Sequence, residues 1–202
     1  ATLSAQNSRP LVEYNAKDSL EAVQLLADQS LQSPLDFARR LCGRPYVAHT
    51  LERGDEHLVV NLRELDCATL VETASALAMA RRQLGQMQRT LPNNGWQAMD
   101  KDSLRQRGQD AHYPARDPWK SFCSALESIR YRNGHCDGYL SRLHYLSFWI
   151  EDHKRRGDIM EVTLPAELRK TRCTDIHYMS RHASKYPGLK SAEDVRRIAA
   201  LE

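Results

Sequence analysis

The stretch from Cys67 to Leu84 constrains the fold more than any other part of this chain. It reads CATLVETASALAMARRQL, is rich in Ala and Leu, and contains neither Gly nor Pro. Because its apolar residues fall on most faces of a helix, the pattern predicts a long helix that is largely buried. Residues 57–62 (HLVVNL) come shortly before it and are rich in β-branched side chains, which predicts a strand leading towards the helix.

Other segments carry local helix signals. Residues 19–29 have apolar side chains at helical spacing. Ser33 followed by Pro34 predicts a cap and the first position of a helix that ends near Gly43. Pro118 opens a further helix through residue 126. Ser191, with an acidic residue three positions later, predicts the cap of a short final helix.

Extended segments are predicted at residues 45–47, 129–131, 160–164 and 176–179, while residues 143–150 fit either a strand or a helix. Helices come first and strands mostly later, an order that favours an α+β fold over an alternating α/β fold. We expect a single domain over residues 1–202, with a loose arm over residues 1–15 and a polar insertion over residues 86–117.

Composition excludes several classes of protein. With 41% hydrophobic and 27% charged residues, the chain can bury a core without disulfides or metals. The net charge is only +3, and no stretch combines dense Lys and Arg with aromatic residues, so we expect no nucleic-acid partner. No apolar run approaches the roughly 20 residues that span a bilayer, so we expect no stable membrane insertion.

The chain contains five cysteines, none of them spaced as C-x-x-C, which argues against a zinc ribbon or a thioredoxin-type site. We therefore expect no metal and no cofactor. If one cysteine is a working thiol, the other four could form up to two disulfides in an oxidising compartment, or could be small buried hydrophobes. These four are Cys42, Cys123, Cys136 and Cys173.

Cys67 lies where the strand-like run gives way to the long helix, and Asp66 before it is a natural N-cap. The unpaired N–H groups and the positive end of the helix dipole favour a thiolate at this position. The Cys67 N–H could also stabilise an oxyanion that forms during acyl transfer. This placement is typical of a nucleophile, although a buried structural thiol is the alternative interpretation.

Two motifs resemble the paired signature of the NlpC-type cell-wall peptidases, in which a G-x-P-Y-x turn precedes a D-C-S-G-L-V helix start. They are GRPYV at residues 43–47 and DCATLV at residues 66–71, with Ala68-Thr69 in place of Ser-Gly and a longer gap. The chain more closely resembles a bacterial N-acetylmuramoyl-L-alanine amidase-like family. The motifs that carry this resemblance occur in the order GRPYV–TLE, VVNLRELDCATLVE, IRYR, GYLSRLHY, WIED and HYMSRH. That resemblance runs from about residue 35 to about residue 190 and is weakest in the insertion.

The resemblance implies a papain-like α+β fold, with Cys67 at the start of a buried helix that packs on an antiparallel sheet. It also implies that His144 is the general base, since the SRLHY segment matches the position of the family's catalytic histidine. A satisfied core histidine is the alternative for His144. We predict Asp152 as the group that orients its imidazole, and a solvated or capping residue is the alternative there. Other candidates for that third position are Glu161, Ser180 and His182.

Three further residues are predicted to bind substrate. By the resemblance, the Tyr46 hydroxyl assists the oxyanion or the substrate, whereas a packed aromatic at a turn is its alternative. Arg63 and Arg142 flank the two catalytic motifs and could each hold a substrate carboxylate by a bidentate contact. Either arginine could equally form a structural ion pair.

The function that the resemblance implies is hydrolysis, through a thioester, of the amide between N-acetylmuramic acid and L-Ala in peptidoglycan or its fragments. An endopeptidase that cuts between D-Glu and diaminopimelate could use the same residues. A non-catalytic wall-binding module is a further alternative.

The wall substrate implies a periplasmic or secreted protein. The first residue is Ala rather than Met, which fits either removal of a signal peptide or an artificial end of the chain.

Overall fold

The structure is a computed structural model that describes residues 11–52, 55–90, 117–160 and 176–202. Its strands and longer helices occur in the order β1 (Val12–Tyr14), α1 (Ala16–Ala27), α2 (Pro34–Leu41), β2 (Leu58–Val60), α3 (Cys67–Thr90), α4 (Pro118–Arg130), α5 (Leu146–Arg156), α6 (Tyr178–Arg181) and α7 (Ala192–Leu201). Short 3₁₀ turns occupy Arg132–Gly134, Tyr139–Ser141 and Ala183–Lys185. The described part is therefore a mixed α+β structure that is rich in helix.

Helix α3 is the centre of the core, as its composition predicts. It packs against α2 on one side and α4 on another. Its small buried side chains let the neighbouring helices approach closely; they are Ala74, Ala76, Ala78 and Ala80, with Leu77 among them. Phe37 of α2 and Phe122 of α4 fill the space on either side. The prediction of a long, largely buried helix that starts at Cys67 is confirmed.

The sheet differs from the predicted one. Strands β1 and β2 pair in parallel, and they form the one sheet found in the described ranges. Two isolated bridges accompany it, a parallel one between Tyr46 and Leu65 and an antiparallel one between Tyr131 and Arg142. The predicted antiparallel sheet is wrong for this part of the chain, because α1 and α2 connect β1 to β2 and return the chain in the same direction.

Helix ends follow the local signals closely. Ser33 and Ser191 each accept a hydrogen bond from the N–H three residues on, and an aspartate at that position reciprocates. Gly43 follows α2 with a φ of 88°, in the left-handed region that favours glycine. The ambiguous segment 143–150 is helical from Leu146 onwards, and α5 ends at Gly157 with a φ of 76°.

Some boundaries are wrong. The second half of the strand predicted at residues 176–179 belongs to helix α6, because a short apolar run does not reveal its own period. Of the strand predicted at residues 129–131, only Tyr131 is extended. The arm is ordered from residue 11, since β1 pairs with β2 and Asn15 caps α1. Helix α3 continues to Thr90, past the predicted start of the insertion at residue 86. Most of the rest of the predicted insertion, residues 91–116, lies outside the described residues, as does the predicted strand beyond Met160.

One buried ion pair joins three elements of the core. Arg130, at the end of α4, is only 2% exposed. Its Nε donates to a Glu72 carboxylate oxygen of α3 at 2.7 Å, and its Nη1 donates to the Val59 carbonyl of β2 at 2.6 Å. The guanidinium thus fixes α3 relative to α4 and the sheet.

We predict that Glu72→Ala lowers the free energy of unfolding by about 3–5 kcal/mol, since it leaves a buried guanidinium without its counter-charge. Denaturant unfolding followed by circular dichroism measures the change. Glu193→Ala is the matched control, because it removes the exposed pair with Arg196 and should cost well under 1 kcal/mol. Equal losses in the two variants would contradict the assignment.

Candidate active site

Cys67 is the first residue of α3, and its thiol is free and exposed. Asp66 caps the helix, because its carboxylate accepts from the Thr69 N–H at 2.8 Å. Thr69 returns the contact, as its hydroxyl oxygen accepts from the Asp66 N–H at 2.8 Å. Within the described residues, the N–H groups of Cys67 and Ala68 donate no hydrogen bond. Both are therefore available to an oxyanion at the helix start.

The second motif lies beside the first. The Val47 N–H donates to the Leu65 carbonyl at 3.2 Å, and the Leu65 N–H donates to the Pro45 carbonyl at 3.1 Å. These two bonds place the Tyr46 backbone next to the residues that lead into Cys67. The Tyr46 side chain is 71% exposed, so it does not act as a packed aromatic. The structure thus brings together the two motifs that the sequence separates by about twenty residues.

His144, unlike the exposed Cys67 and Tyr46, packs against a neighbouring side chain. Its Nε2 lies 2.9 Å from the Tyr139 carbonyl, and its ring packs 4.4 Å from the Tyr139 ring. Burial, helped by the Arg142 guanidinium, lowers the pKa of His144 to about 4. The ring is therefore neutral at pH 7, with the proton on Nε2 and the lone pair on Nδ1. No hydrogen bond joins His144 to Cys67 among the described residues, so the structure does not show them as a contacting pair.

Arg142 belongs to a buried polar cluster, which we define as Glu52, Glu56, Tyr131, Tyr139 and Arg142. Its Nη2 donates to Glu52 at 2.8 Å, and its Nε lies 3.5 Å from Glu56. The Tyr139 hydroxyl also donates to Glu52 at 2.7 Å, and the Tyr131 hydroxyl donates to Glu56 at 2.8 Å. Burial raises the pKa of Glu56. Because Arg142 is buried with these carboxylates, the structure favours its ion-pair alternative over substrate binding.

Arg63 also contacts a protein carboxylate. Its Nε lies 3.2 Å from an Asp18 oxygen that accepts from the Leu62 N–H at 3.0 Å as well. Asp18 is fully buried, whereas the Arg63 side chain is about half exposed. The structure therefore shows a structural ion pair here, with one edge of the guanidinium open to solvent.

Asp152 is buried among partners other than His144. Burial by itself would raise the pKa of Asp152, but hydrogen bonds from the Asn133 N–H and from Arg155 and Arg156 outweigh it and lower that pKa. Within the described ranges, no hydrogen bond joins Asp152 to the His144 ring.

Two of the other candidates for the orienting role have hydrogen-bond partners other than His144. The Ser180 hydroxyl donates to the His177 carbonyl, and His182 Nδ1 contacts the Tyr178 carbonyl. Glu161 lies outside the described residues. Among the residues that the structure describes, the hydrogen-bond partner of the His144 ring is the main-chain carbonyl of Tyr139, which no side-chain pattern in the sequence could have revealed.

The cysteines outside the candidate site are thiols where the structure describes them. Cys42, Cys123 and Cys136 are free, and Cys173 lies outside the described residues. Burial raises the pKa of Cys123 to about 12, so this side chain acts as a small hydrophobe. In the described part of the chain, we find no helix with the length and apolar character needed to cross a membrane. The same residues contain no group of three metal-ligating side chains.

Comparison with known proteins finds the same amidase-like family that the sequence motifs resemble. The model of the AmiA-like family, described as N-acetylmuramoyl-L-alanine amidase-like, matches residues 36–202. A crystal structure of an N-acetylmuramoyl-L-alanine amidase from Bacteroides uniformis is 30% identical, with a TM-score of 0.56, and the match covers 89% of this chain and 60% of that one. A second crystal structure with the same name and source is 32% identical, with a TM-score of 0.58 and the same coverage of both chains.

A candidate xylanase from Bacteroides fragilis is 29% identical, with a TM-score of 0.57, and the match covers 83% of this chain and 60% of that one. The chain thus spans about 60% of the length of these solved relatives. No curated protein matches it.

We predict that Cys67 is alkylated faster than Cys42 at neutral pH. Both thiols are exposed, but Cys67 starts α3 whereas Cys42 is the C-cap of α2. The positive end of the α3 dipole lies at Cys67 and the negative end of the α2 dipole lies at Cys42, which should give a rate ratio of about three to ten in favour of Cys67. Iodoacetamide labelling of Cys67→Ser and Cys42→Ser, mapped by mass spectrometry, measures both rates. A faster Cys42 would contradict the prediction.

We also predict that the protein loses stability as the pH falls from about 6.5 to about 4. Over this window the unfolded histidine binds a proton and folded His144 does not, so the free energy of unfolding decreases towards acid pH. Because the ring is partly exposed, the contribution should be about 1–2 kcal/mol. Denaturant titrations at several pH values would detect it. His144→Gln should lose this component of the slope, whereas His182→Gln should keep it.

Proposed function

Because the chain belongs to the N-acetylmuramoyl-L-alanine amidase-like family, we propose that it hydrolyses an amide of peptidoglycan or of muropeptides, with Cys67 as the nucleophile. One observation carries the proposal: a free, exposed thiol at the first residue of a helix whose next turns are buried in the core. The amidase named in Bacteroides uniformis supports the same class of reaction.

The proposed reaction passes through a thioester. The Cys67 thiolate attacks the amide carbonyl carbon, and the N–H groups of Cys67 and Ala68 stabilise the oxyanion. The C–N bond then breaks, and the amine takes up a proton as it leaves. Water attacks the thioester, which releases the carboxylic acid and regenerates the thiol. The exposed Tyr46 side chain, whose backbone pairs with Leu65 just before Cys67, is proposed to contact the substrate.

The proposed reaction also needs a group that takes the proton from Cys67. Our sequence hypothesis assigns the role to His144, oriented by Asp152. In that role Nε2–H would stay on the Tyr139 carbonyl, and Nδ1 would take the proton from Cys67. The 2.9 Å contact between His144 Nε2 and the Tyr139 carbonyl supports the first half of this arrangement.

We propose that the bond cleaved is the one between N-acetylmuramic acid and L-Ala, since the family description and the Bacteroides uniformis amidase both name it. Glycoside hydrolysis, which the candidate xylanase suggests, fits the site less well. It uses a pair of carboxylates across the sugar bond, whereas Asp66 beside Cys67 is hydrogen-bonded as a helix cap. A wall substrate also implies a periplasmic or secreted location.

We predict that Cys67→Ala abolishes the release of stem peptides from muropeptides, with a loss of at least about a thousandfold. Cys42→Ala is the matched control, because it removes the second exposed thiol that the described ranges contain and should keep full activity. Mass spectrometry identifies the bond: intact stem peptide means amidase, and a released dipeptide means endopeptidase. Undiminished hydrolysis by Cys67→Ala would end the proposal.

The same assay tests the base. The sequence hypothesis expects that His144→Gln abolishes turnover while the far-ultraviolet circular dichroism stays unchanged. Turnover retained by a folded His144→Gln would remove this residue from the mechanism and leave it as a packing partner of Tyr139.

A further inference from the structure

The exposed surface at the start of α3 is apolar. Cys67, Ala68 and Val71 are exposed, whereas Glu72 and Thr73 beside them are buried. The solvent face of a surface helix is ordinarily polar, so this inversion over the first two turns is unusual. Val71 is 54% exposed, which is more than half of a branched aliphatic side chain left in water.

Helix geometry brings Val71 to the thiol. Residues four apart lie on one face, about 5–6 Å between their Cβ atoms. Side chains in a helix also lean towards its N-terminus, so Val71 covers the surface over the turn that starts at Cys67. The Tyr46 backbone pairs with Leu65, two residues before Cys67, and the Tyr46 side chain is exposed. We call Tyr46, Ala68 and Val71 the apolar rim.

The two arginines nearest this rim in the sequence are already paired with carboxylates of the protein. Arg44, two residues before Tyr46, forms an ion pair with Glu21 of α1. Arg63, four residues before Cys67, pairs with the buried Asp18, also of α1. The carboxylate adjacent to the thiol is that of Asp66, which would repel a second carboxylate. The rim therefore suits a scissile amide with uncharged, apolar neighbours.

Resting on the proposed function, we infer that the apolar rim determines which amide is cut, and that Val71 contacts the methyl group of L-Ala. The amide between N-acetylmuramic acid and L-Ala carries a methyl on both sides, one on the lactyl carbon and one on the alanine Cα. The amide between D-Glu and diaminopimelate carries charged groups on both residues instead. Burying one methyl of the substrate against Val71 should be worth about fourfold in affinity.

The test compares two synthetic muropeptides that differ only at the first stem residue, L-Ala or Gly. The wild-type protein should prefer L-Ala by about fourfold in kcat/KM. Val71→Thr keeps the shape but replaces a methyl by a hydroxyl, and should reduce the preference to below about twofold. The loss should lie in a raised KM for the L-Ala substrate with kcat nearly unchanged, since the contact exists before and during the reaction.

Ile150→Thr is the matched control, because Ile150 is also an exposed branched aliphatic residue on a helix and lies in α5. It should keep the wild-type preference. If Val71→Thr cleaves both substrates with the wild-type ratio, the inference is overturned and the proposed function stands. If the wild-type protein cleaves neither substrate, the proposed function fails and the inference fails with it.

Discussion

The Arg130 guanidinium is buried between two helices and a strand, and its contacts hold these three elements of the core together. It binds Glu72 of α3 and the Val59 carbonyl of β2 from the end of α4. A charge buried this deeply is tolerated only when its partners hold their positions. Glu72 lies five residues after Cys67, so the same contact that orders the core also sets the direction of the first turns of α3.

The polar cluster is a second buried network. The polar cluster joins the loop that follows Tyr46, through Glu52, to the segment that contains Tyr139 and Arg142. Its members come from motifs far apart in the sequence, and so do Glu72 and Arg130. Much of the resemblance to the amidase-like family therefore consists of buried polar contacts that keep the loops in place. Conspicuous motif residues such as Arg142 are explained by this packing without a direct role in chemistry.

The sequence predicted those features of the fold that depend on residues close together in the chain. The cap at Ser33 and the buried helix from Cys67 depend on residues within one or two turns of each other, and both were confirmed. Strand β1 forms only because β2, more than forty residues away, pairs with it, and nothing local indicates that pairing. The same reasoning applies to the site. The position of Cys67 at a helix start can be recognised from the residues around it. The partner of the His144 ring is a backbone carbonyl, and every residue type has one, so the sequence does not indicate it.

The helix start at Cys67 differs from the NlpC-type signature at one residue that takes part in the N-terminal cap. Where that signature has Gly, this chain has Thr69, and its hydroxyl bonds the Asp66 N–H while Asp66 bonds the Thr69 N–H. A helix start leaves four N–H groups without helical partners, and this reciprocal cap satisfies the first and the fourth. The two that remain belong to Cys67 and Ala68, beside the thiol. The cap therefore rigidifies the helix start and confines the open donors to the place where a developing oxyanion would need them.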